Sequence, residues 1–546
     1  MLAEAELDAG DSRAGEAASR RALALAPGHP EALARLGRAQ WMQGRHGDAA
    51  SSLRAAAAAA PGHPGIALWL GHALEDAGEP EAAARAYARA HALAPGEPRI
   101  AAHLLAWRRR LADWTGVDVL SAQVRAAVRG GQTAVEPFAF LAEDASASEQ
   151  LQCARGWAAG LARAVRPLPP APRRAPGAGR LRLGFLSNGF GAHPTGLLVV
   201  AMLEAIAAAD GAEAHLFALN ADDGSTVRQR LAAATRLHGL AGRDDGQVAT
   251  AIRRAGVDVL FDLRGWGGGG RPQVLAMRPA PVQVNWLAYP GTSGAPWIDY
   301  VLADAFVLPD AVAAHFSEEP VRLPRCFQPS DTTRKLAPPP AREACGLPVE
   351  GTVFCCFNNS YKLNRRSMER AFRILRGVPG SVLWLLSGPG NADSRLRARA
   401  GESGIDPERL VFMEKQPHPG YLSRLQRADL FLDTHPYNAH TTASDALWAG
   451  CPVLTTPGAT FASRVAGSLN HHLGMPEMNG ADDEAFVQRG IALGNDPQAL
   501  QAVRARLAER RRESGLFDMP AFANDFLDAA ARMAGRSLAG SEHREP

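Results

Sequence analysis

Leu430-Phe-Leu-Asp-Thr-His-Pro-Tyr-Asn-Ala-His-Thr-Thr-Ala-Ser-Asp-Ala-Leu-Trp-Ala-Gly450, followed by Cys451-Pro-Val-Leu-Thr455, decides the fold. An apolar run ends in Asp433, and a polar loop with Pro436 and Asn438 follows. His440, Thr441 and Thr442 then open a segment with helical spacing, 443–449, closed by Gly450 before a second apolar run. The order is strand, loop, helix, strand. Open α/β sheets bind ligands at the carboxyl ends of their strands, where this loop lies. Free N–H groups at a helix start, joined by two Thr hydroxyls, suit a phosphate. Asp445 stands four residues after Thr441 and projects from the same face. A phosphate would repel it, so either it accepts hydrogen bonds from a ribose or it is an exposed acid on an N-capped helix.

The same alternation extends in both directions. Upstream, strands are expected over 181–187, 213–218, 257–263, 281–287 and 300–303, with helices over 195–207 and 245–255. A second series has strands over 352–357, 381–386, 410–413, 430–433 and 453–455, then a helical tail over 483–534. Two doubly wound sheets imply a cleft between them. The Pro-rich stretch Arg166-Pro-Leu-Pro-Pro-Ala-Pro-Arg-Arg-Ala-Pro-Gly-Ala-Gly179 reads as an extended connector ahead of the first sheet.

The N-terminal third is different. Pro27-Gly-His-Pro30, Pro61-Gly-His-Pro64 and Pro95-Gly-Glu-Pro98 recur every 34 residues. Leu36-Gly37 with Leu70-Gly71, the set Gly10, Gly44 and Gly78, and the set Ala22, Ala56 and Ala90 keep that period. Small residues at fixed offsets in a 34-residue period are the tetratricopeptide signature, two antiparallel helices per unit. Such arrays present a groove to peptides or proteins. The resulting plan has repeats and bridging helices over 1–132, a helical bridge and Pro-rich linker over 133–180, a first α/β half over 181–335, and a second over 336–546 with the C-terminal helices.

The totals agree with a multidomain globular chain. It has 546 residues, 46% apolar and 21% charged. A net charge of +3 leaves no nucleic-acid footprint. The six Cys lack C-x-x-C spacing and read as reduced thiols. Neither a secretory signal nor an apolar run of about 18 residues occurs, so the expectation is a cytoplasmic protein with no membrane partner.

Several further residues carry chemistry under one reading and structure under another. His193, in Asn188-Gly-Phe-Gly-Ala-His-Pro-Thr195, follows a strand and precedes a helix; it is either a proton shuttle or a capping residue. Lys362, in Asn358-Asn-Ser-Tyr-Lys362, either neutralises a phosphate or lies on the surface. Leu287-Ala-Tyr-Pro-Gly-Thr-Ser-Gly294 either approaches a sugar or makes a tight turn. Gly265-Trp-Gly-Gly-Gly-Gly270 satisfies G-x-G-x-x-G, but no acid follows at the distance a dinucleotide site needs. No D-x-D occurs, and the His residues lack helix-face metal spacing, so no metal is expected.

Taken together, Phe190-Gly-Ala-His-Pro-Thr195, Met277-Arg-Pro-Ala-Pro281, Gly291-Thr-Ser-Gly294, Asn358 to Lys362, Ser381-Val-Leu-Trp-Leu-Leu386, His440-Thr-Thr442 to Gly450 and Ala462-Ser-Arg-Val-Ala466 resemble the O-linked N-acetylglucosamine transferases and the plant SPINDLY proteins. The likeness runs over about residues 1–535 and is most like a bacterial homologue with N-terminal repeats. It implies two Rossmann-like halves in the glycosyltransferase B arrangement and a UDP-sugar bound between them, with no metal or other cofactor. It places Lys362, Thr441 and Thr442 at the diphosphate and Asp445 at the ribose, with Asn359 and His440 as further UDP-sugar-binding residues. Gln416, His418 and Tyr421 match the uracil-and-ribose segment, Leu287 and Pro290 the wall of the sugar pocket, and His193 the reacting centre.

The chain also departs from the animal pattern. Gly189 and Ala192 stand where those enzymes have an Asp and an Asn, and Phe138 where they have a candidate base. Either His193 or a phosphate oxygen must then take the acceptor's proton, or the acceptor differs from that of the animal enzymes. The resemblance implies an inverting transferase that moves a sugar, N-acetylglucosamine first, from UDP to a hydroxyl of a protein or peptide held by the repeats. The rivals are a non-catalytic repeat scaffold that senses UDP-sugar, and the same fold using another nucleotide sugar such as a fucosyl donor. On this reading the repeats serve the acceptor alone, so removing residues 1–98 is expected to spare UDP binding.

Overall fold

The computed structural model describes residues 2–8, 10–132, 134–174, 179–209 and 211–535. The chain divides into two compact units. One joins Met1–Ala127 to two short downstream pieces, Asn359–Asn364 and Ser387–Glu402; the other holds the remainder.

The first unit is built from α1 (Leu2–Asp8), α2 (Ser12–Leu25), α3 (Pro30–Met42), α4 (His46–Ala59), α5 (Pro64–Asp76), α6 (Pro80–Leu93) and α7 (Pro98–Arg110). Pro30, Pro64 and Pro98 each open a helix, where a missing N–H costs nothing. Gly44 and Gly78 turn the chain inside each repeat with φ of 74° and 75°, a region closed to most side chains. The periodic Gly37 and Gly71 do a different job. A Cβ at Gly37 would stand 2.6 Å from Leu53 Cγ, and one at Gly71 2.4 Å from the Tyr87 ring. These positions let paired helices close on each other.

The second unit contains two parallel sheets. The first uses β1 (Leu181–Ser187), β2 (Ala212–Ala218), β3 (Arg236–Gly239), β4 (Val259–Asp262), β5 (Gln283–Asn285), β6 (Tyr300–Asp304) and β7 (Glu319–Leu323), in the order β3-β2-β1-β4-β5-β6-β7. The second uses β8 (Val353–Cys356), β9 (Val382–Leu386), β10 (Leu410–Met413), β11 (Leu430–Leu432) and β12 (Val453–Leu454), in the order β10-β9-β8-β11-β12. Strand order reverses between β1 and β4 and between β8 and β11, and ligands of open α/β sheets bind outside such points. Strands β1, β4, β8 and β11 are buried along nearly their whole length, as parallel strands covered on both faces must be.

Strands β3 and β7 were not expected. Both lie at sheet edges. Strand β3 begins and ends exposed and β7 carries Pro320, so neither shows the apolar run that marks a central strand. The last helix, Met519–Met533, belongs in sequence to the second series but packs on the first sheet. Its Phe526 meets Phe261 at 4.8 Å and Trp286 at 4.9 Å between ring centroids. Buried Asp304 at the end of β6 accepts from Ser468 Oγ at 2.7 Å, and Arg464 Nε donates to the Phe306 carbonyl at 2.8 Å, tying the two sheets together. In the Pro-rich connector, Leu168 N–H donates to Met277 O at 2.8 Å, and 175–178 lie outside the described residues.

Candidate active site

The loop after β11 is shaped by a buried carboxylate. Asp433 accepts from Thr434 N–H at 2.8 Å, Ala439 N–H at 2.7 Å and Thr455 Oγ1 at 2.7 Å. This folds 433–439 back so that the helix Thr441–Ala449 starts at the sheet's carboxyl edge. His440 is its N-cap residue, with no side-chain cap bond. Its Nε2 lies 3.3 Å from Ala462 O, which ties the loop to the Ala462-Ser-Arg-Val-Ala466 segment. The amides of Ala443 and Ser444 donate to His440 O; those of Thr441 and Thr442 come before the helical ladder begins. Thr442 Oγ1 donates to Asn358 Oδ1 at 2.8 Å, and Asn358 Nδ2 donates to Thr434 Oγ1 at 2.8 Å. Asn358, just beyond β8, thereby braces the helix start.

One turn into that helix, Asp445 is buried, 3% exposed. It is paired with Arg334 Nη1, and both its oxygens lie 3.2 Å from His418 Nε2. The exposed-acid reading of Asp445 therefore does not hold. Arg334 also donates to Ser330 Oγ at 2.6 Å and lies 5.2 Å over the Trp448 ring. His418 stands 6.1 Å from Tyr421, ring to ring, and Tyr421 meets Phe357 edge-on at 5.7 Å. Gln416, half-buried, donates from Nε2 to the Glu414 carbonyl at 3.2 Å. His418, Tyr421 and Asp445 thus form one cluster, although 27 residues separate His418 from Asp445.

On the first sheet, His193 caps the helix Pro194–Ala208: its Nδ1 accepts from Thr195 N–H at 3.2 Å. With Nδ1 accepting, the neutral ring carries its proton on Nε2, which can then donate. Burial, with help from the Arg264 guanidinium, pulls His193 down to about 4, so it is neutral at pH 7. Gly189 matters here, since a Cβ would stand 2.4 Å from His193 Nδ1. Leu287, two residues beyond β5, is buried with φ of 89°, a strained conformation for Leu; Pro290 is also buried.

Sequence reasoning passed over Arg264 and Arg334. Arg264 follows β4 by two residues, and Nε is buried with no hydrogen-bond partner among the described residues. It acts electrostatically on His193, while Tyr437 and Asp262 act on it. Tyr437 in turn meets His440 at 5.1 Å and Phe138 at 6.3 Å. A cation next to a strand's carboxyl end at a switch point was the available signal for Arg264. The adjoining loop 265–270 runs into only a short helix, Pro272–Ala276, and lines a cavity of about 410 Å³ with Glu136, Trp157 and Leu161.

Lys362 and Asn359 lie in the repeat-bearing unit. Lys362 ends a 3₁₀ turn, Ser360–Lys362, and is only 8% exposed, so the surface reading does not hold. Asn359, the residue before that turn, is exposed. Among the described residues, no three His, Cys, Asp or Glu side chains gather as metal ligands would, and no helix is long and apolar enough to cross a membrane.

The family model for glycosyl transferase family 41 matches residues 167–338 and 338–526, and tetratricopeptide models match 1–64 and 40–107. The chain is 33% identical over 401 residues to the probable UDP-N-acetylglucosamine–peptide N-acetylglucosaminyltransferase SEC of Arabidopsis thaliana, covering 70% of this chain and 41% of that one. It is 27% identical over 475 residues to the UDP-N-acetylglucosamine–peptide N-acetylglucosaminyltransferase of Caenorhabditis elegans, covering 66% and 41%. The chain thus spans about two fifths of the length of these curated relatives. A solved structure of a Thermobaculum terrenum O-GlcNAc transferase variant superposes with a TM-score of 0.71 at 28% identity, covering 98% of this chain and 96% of that one. The fold implied by the resemblance, helical repeats followed by two Rossmann-like sheets in the glycosyltransferase B arrangement, is the fold observed. With both of its parallel sheets inside the matched residues, the chain belongs to glycosyl transferase family 41.

Proposed function

We propose that the chain transfers N-acetylglucosamine from its UDP donor to a hydroxyl of a protein or peptide, with inversion and without a metal. The helix Thr441–Ala449 carries this reading. Its open first turn offers amides and the Thr441 hydroxyl to a diphosphate, while the Thr442 hydroxyl is spent on Asn358 and braces the turn. One turn on, Asp445, His418 and Tyr421 offer a carboxylate, an imidazole and an aromatic face to a nucleoside. A paired carboxylate keeps lone pairs for ribose hydroxyls, since its two oxygens offer about four acceptor sites. Gln416 belongs to the same nucleoside segment, and Asn359 and His440 are proposed as further contacts to the UDP-sugar.

Bond cleavage builds charge on the β-phosphate. The helix start meets part of it, and Lys362, proposed to lie at the diphosphate, meets more. A helix N-terminus and an ammonium together do the work that a bridging divalent cation does elsewhere. A single displacement inverts the anomeric centre and needs no second carboxylate. His193 takes the part of a hydrogen-bond donor through Nε2 rather than that of a base. The acceptor's proton then goes to a nonbridging phosphate oxygen of the donor. Leu287 and Pro290 wall the sugar, and the groove of the repeats holds the acceptor chain. The test is to incubate the protein with UDP-N-acetylglucosamine, other UDP-sugars or GDP-fucose and a cell lysate, measuring released nucleotide and modified peptides. N-acetylglucosamine on Ser or Thr is the expected product. Nucleotide binding with no transfer from any donor would identify a sensing scaffold instead.

A further inference from the structure

The repeat helices pack against more than one another. Two segments that leave the carboxyl ends of β8 and β9, Asn359–Asn364 and Ser387–Glu402, form one compact unit with them. The contacts are specific. Glu81 of α6 receives a two-pronged pair from Arg395, with Nη1 and Nη2 each at 2.8 Å from an oxygen, and accepts from Asn391 N–H at 2.9 Å. Arg395 holds the Glu81 carboxyl below the usual carboxylate range. The C-terminus of α7 supplies the rest. Helix ends leave carbonyls without intrahelical partners. Here Arg110 O accepts from Ser360 Oγ at 2.6 Å and Leu111 O accepts from Arg395 Nη1 at 3.1 Å. The next residue, Ala112, sits at φ of 49°, a costly conformation for a residue with a Cβ. Further along, the Arg399 guanidinium lies 5.9 Å over the Trp114 ring.

Ser360 opens the 3₁₀ turn that Lys362 ends. The hydroxyl that binds the helix terminus therefore stands two residues from the ammonium assigned to the diphosphate. Arg110 is also joined to the interior of the array: Nη1 donates to Glu75 Oε1 at 3.0 Å, while Trp107 Nε1 and Tyr87 OH donate to Glu75 Oε2 at 2.8 and 2.9 Å.

We propose that the repeat array is a positioning element for the donor. Glu81 and the end of α7 fix the Lys362 turn, and nucleotide binding depends on them. This deepens the function proposed above and rests on its reading of Lys362. It reverses the expectation that residues 1–98 are dispensable for UDP binding, because Glu81 lies within them.

The test is a double-mutant cycle on the full chain, read as UDP affinity by calorimetry together with melting temperature. The variants are Glu81→Gln, Ser360→Ala, Lys362→Ala and the two doubles that include Lys362→Ala. Glu81→Gln and Ser360→Ala should each weaken UDP binding about fivefold, the order of one lost hydrogen bond. Combined with Lys362→Ala, neither should weaken it further, since positioning a lysine that is absent has no effect. Multiplying losses, or single variants that bind UDP like the wild type, would overturn the positioning role while leaving the reading of Lys362 intact. If Lys362→Ala alone binds UDP as the wild type does, the reading of Lys362 fails and this proposal fails with it. A variant that melts early but keeps its UDP affinity also counts against the proposal, because a purely structural contact behaves that way.

Discussion

Replacing Lys362 by Ala removes a buried ammonium from the turn proposed to lie at the diphosphate. Part of that charge exists in bound UDP-sugar, but more develops as the glycosidic bond breaks. Turnover should therefore fall further than affinity, by a factor on the order of 10²–10³. Lys362→Arg keeps the charge but not the reach and should not restore the rate. Single-turnover UDP release beside equilibrium UDP affinity checks this, and a rate within about threefold of wild type would remove Lys362 from the leaving-group role. His193 calls for a different test. If Nε2 donates, His193→Gln should retain more transfer than His193→Ala, whereas a required base would make both equally inactive. Gly189→Ala should act like a His193 substitution, because its Cβ would force the ring off its cap. These two residues were visible in the sequence because each follows an apolar run with a helix or turn beyond it. Arg334 was not. It reaches Asp445 across 111 residues, and no local pattern announces such a pair.

Elements were legible wherever a period was strong. The 34-residue spacing placed the turns of the repeats, and apolar runs placed the central strands within a few residues. Edge strands β3 and β7 escaped, since a half-exposed strand has little apolar pattern to read. The close helix contacts inside the repeats can be probed directly. Gly71→Ala drives a Cβ into the Tyr87 ring and should destabilise the repeats by about 1–3 kcal/mol, as overpacking does. Gly62, in a turn with no heavy atom near its Cβ position, is the control; Gly62→Ala should be neutral or slightly stabilising. Equal melting temperatures for the two variants would contradict the packing account. At the nucleotide helix, Thr442→Val removes the hydroxyl that braces Asn358 and should weaken UDP binding several-fold. EDTA should leave UDP binding of the wild type unchanged, because the charge there is met by amides and Lys362. Loss of binding on chelation would mean that a cation had been missed.

Two pieces from beyond residue 350 join the repeat-bearing unit through contacts such as Glu81 with Arg395, 314 residues apart, so a domain plan drawn along the chain could not foresee them. Burial sets a property of the chain as a whole. His72, His103, His193, His215, His238 and His435 are all held below the ordinary value of 6.5 chiefly by burial, His103 to about 3 and His193 and His215 to about 4. Each holds its proton less tightly when folded than when unfolded, so unfolding takes up protons as the pH drops below the unfolded value. Stability supplied this way is complete above about pH 6.5 and is lost as the pH falls toward the folded values. Two depressed carboxylates, Glu75 through the Trp107 hydrogen bond and the Arg110 charge against its burial, and Glu81 through Arg395, add their own loss only below about pH 4.5. Asp262 works the other way: burial raises it, so its contribution is present at low pH and is lost as the pH rises through its folded value. Between about pH 5 and 6.5 the histidines outnumber it, and unfolding should take up protons. Calorimetry in buffers of different ionisation enthalpy measures that uptake. His103→Phe keeps a ring where the imidazole stacks on Tyr87 at 5.4 Å and should lower the uptake at pH 5.5 by close to one proton. An unchanged uptake would mean that His103 is already charged in the folded repeats, and that burial is not what governs it.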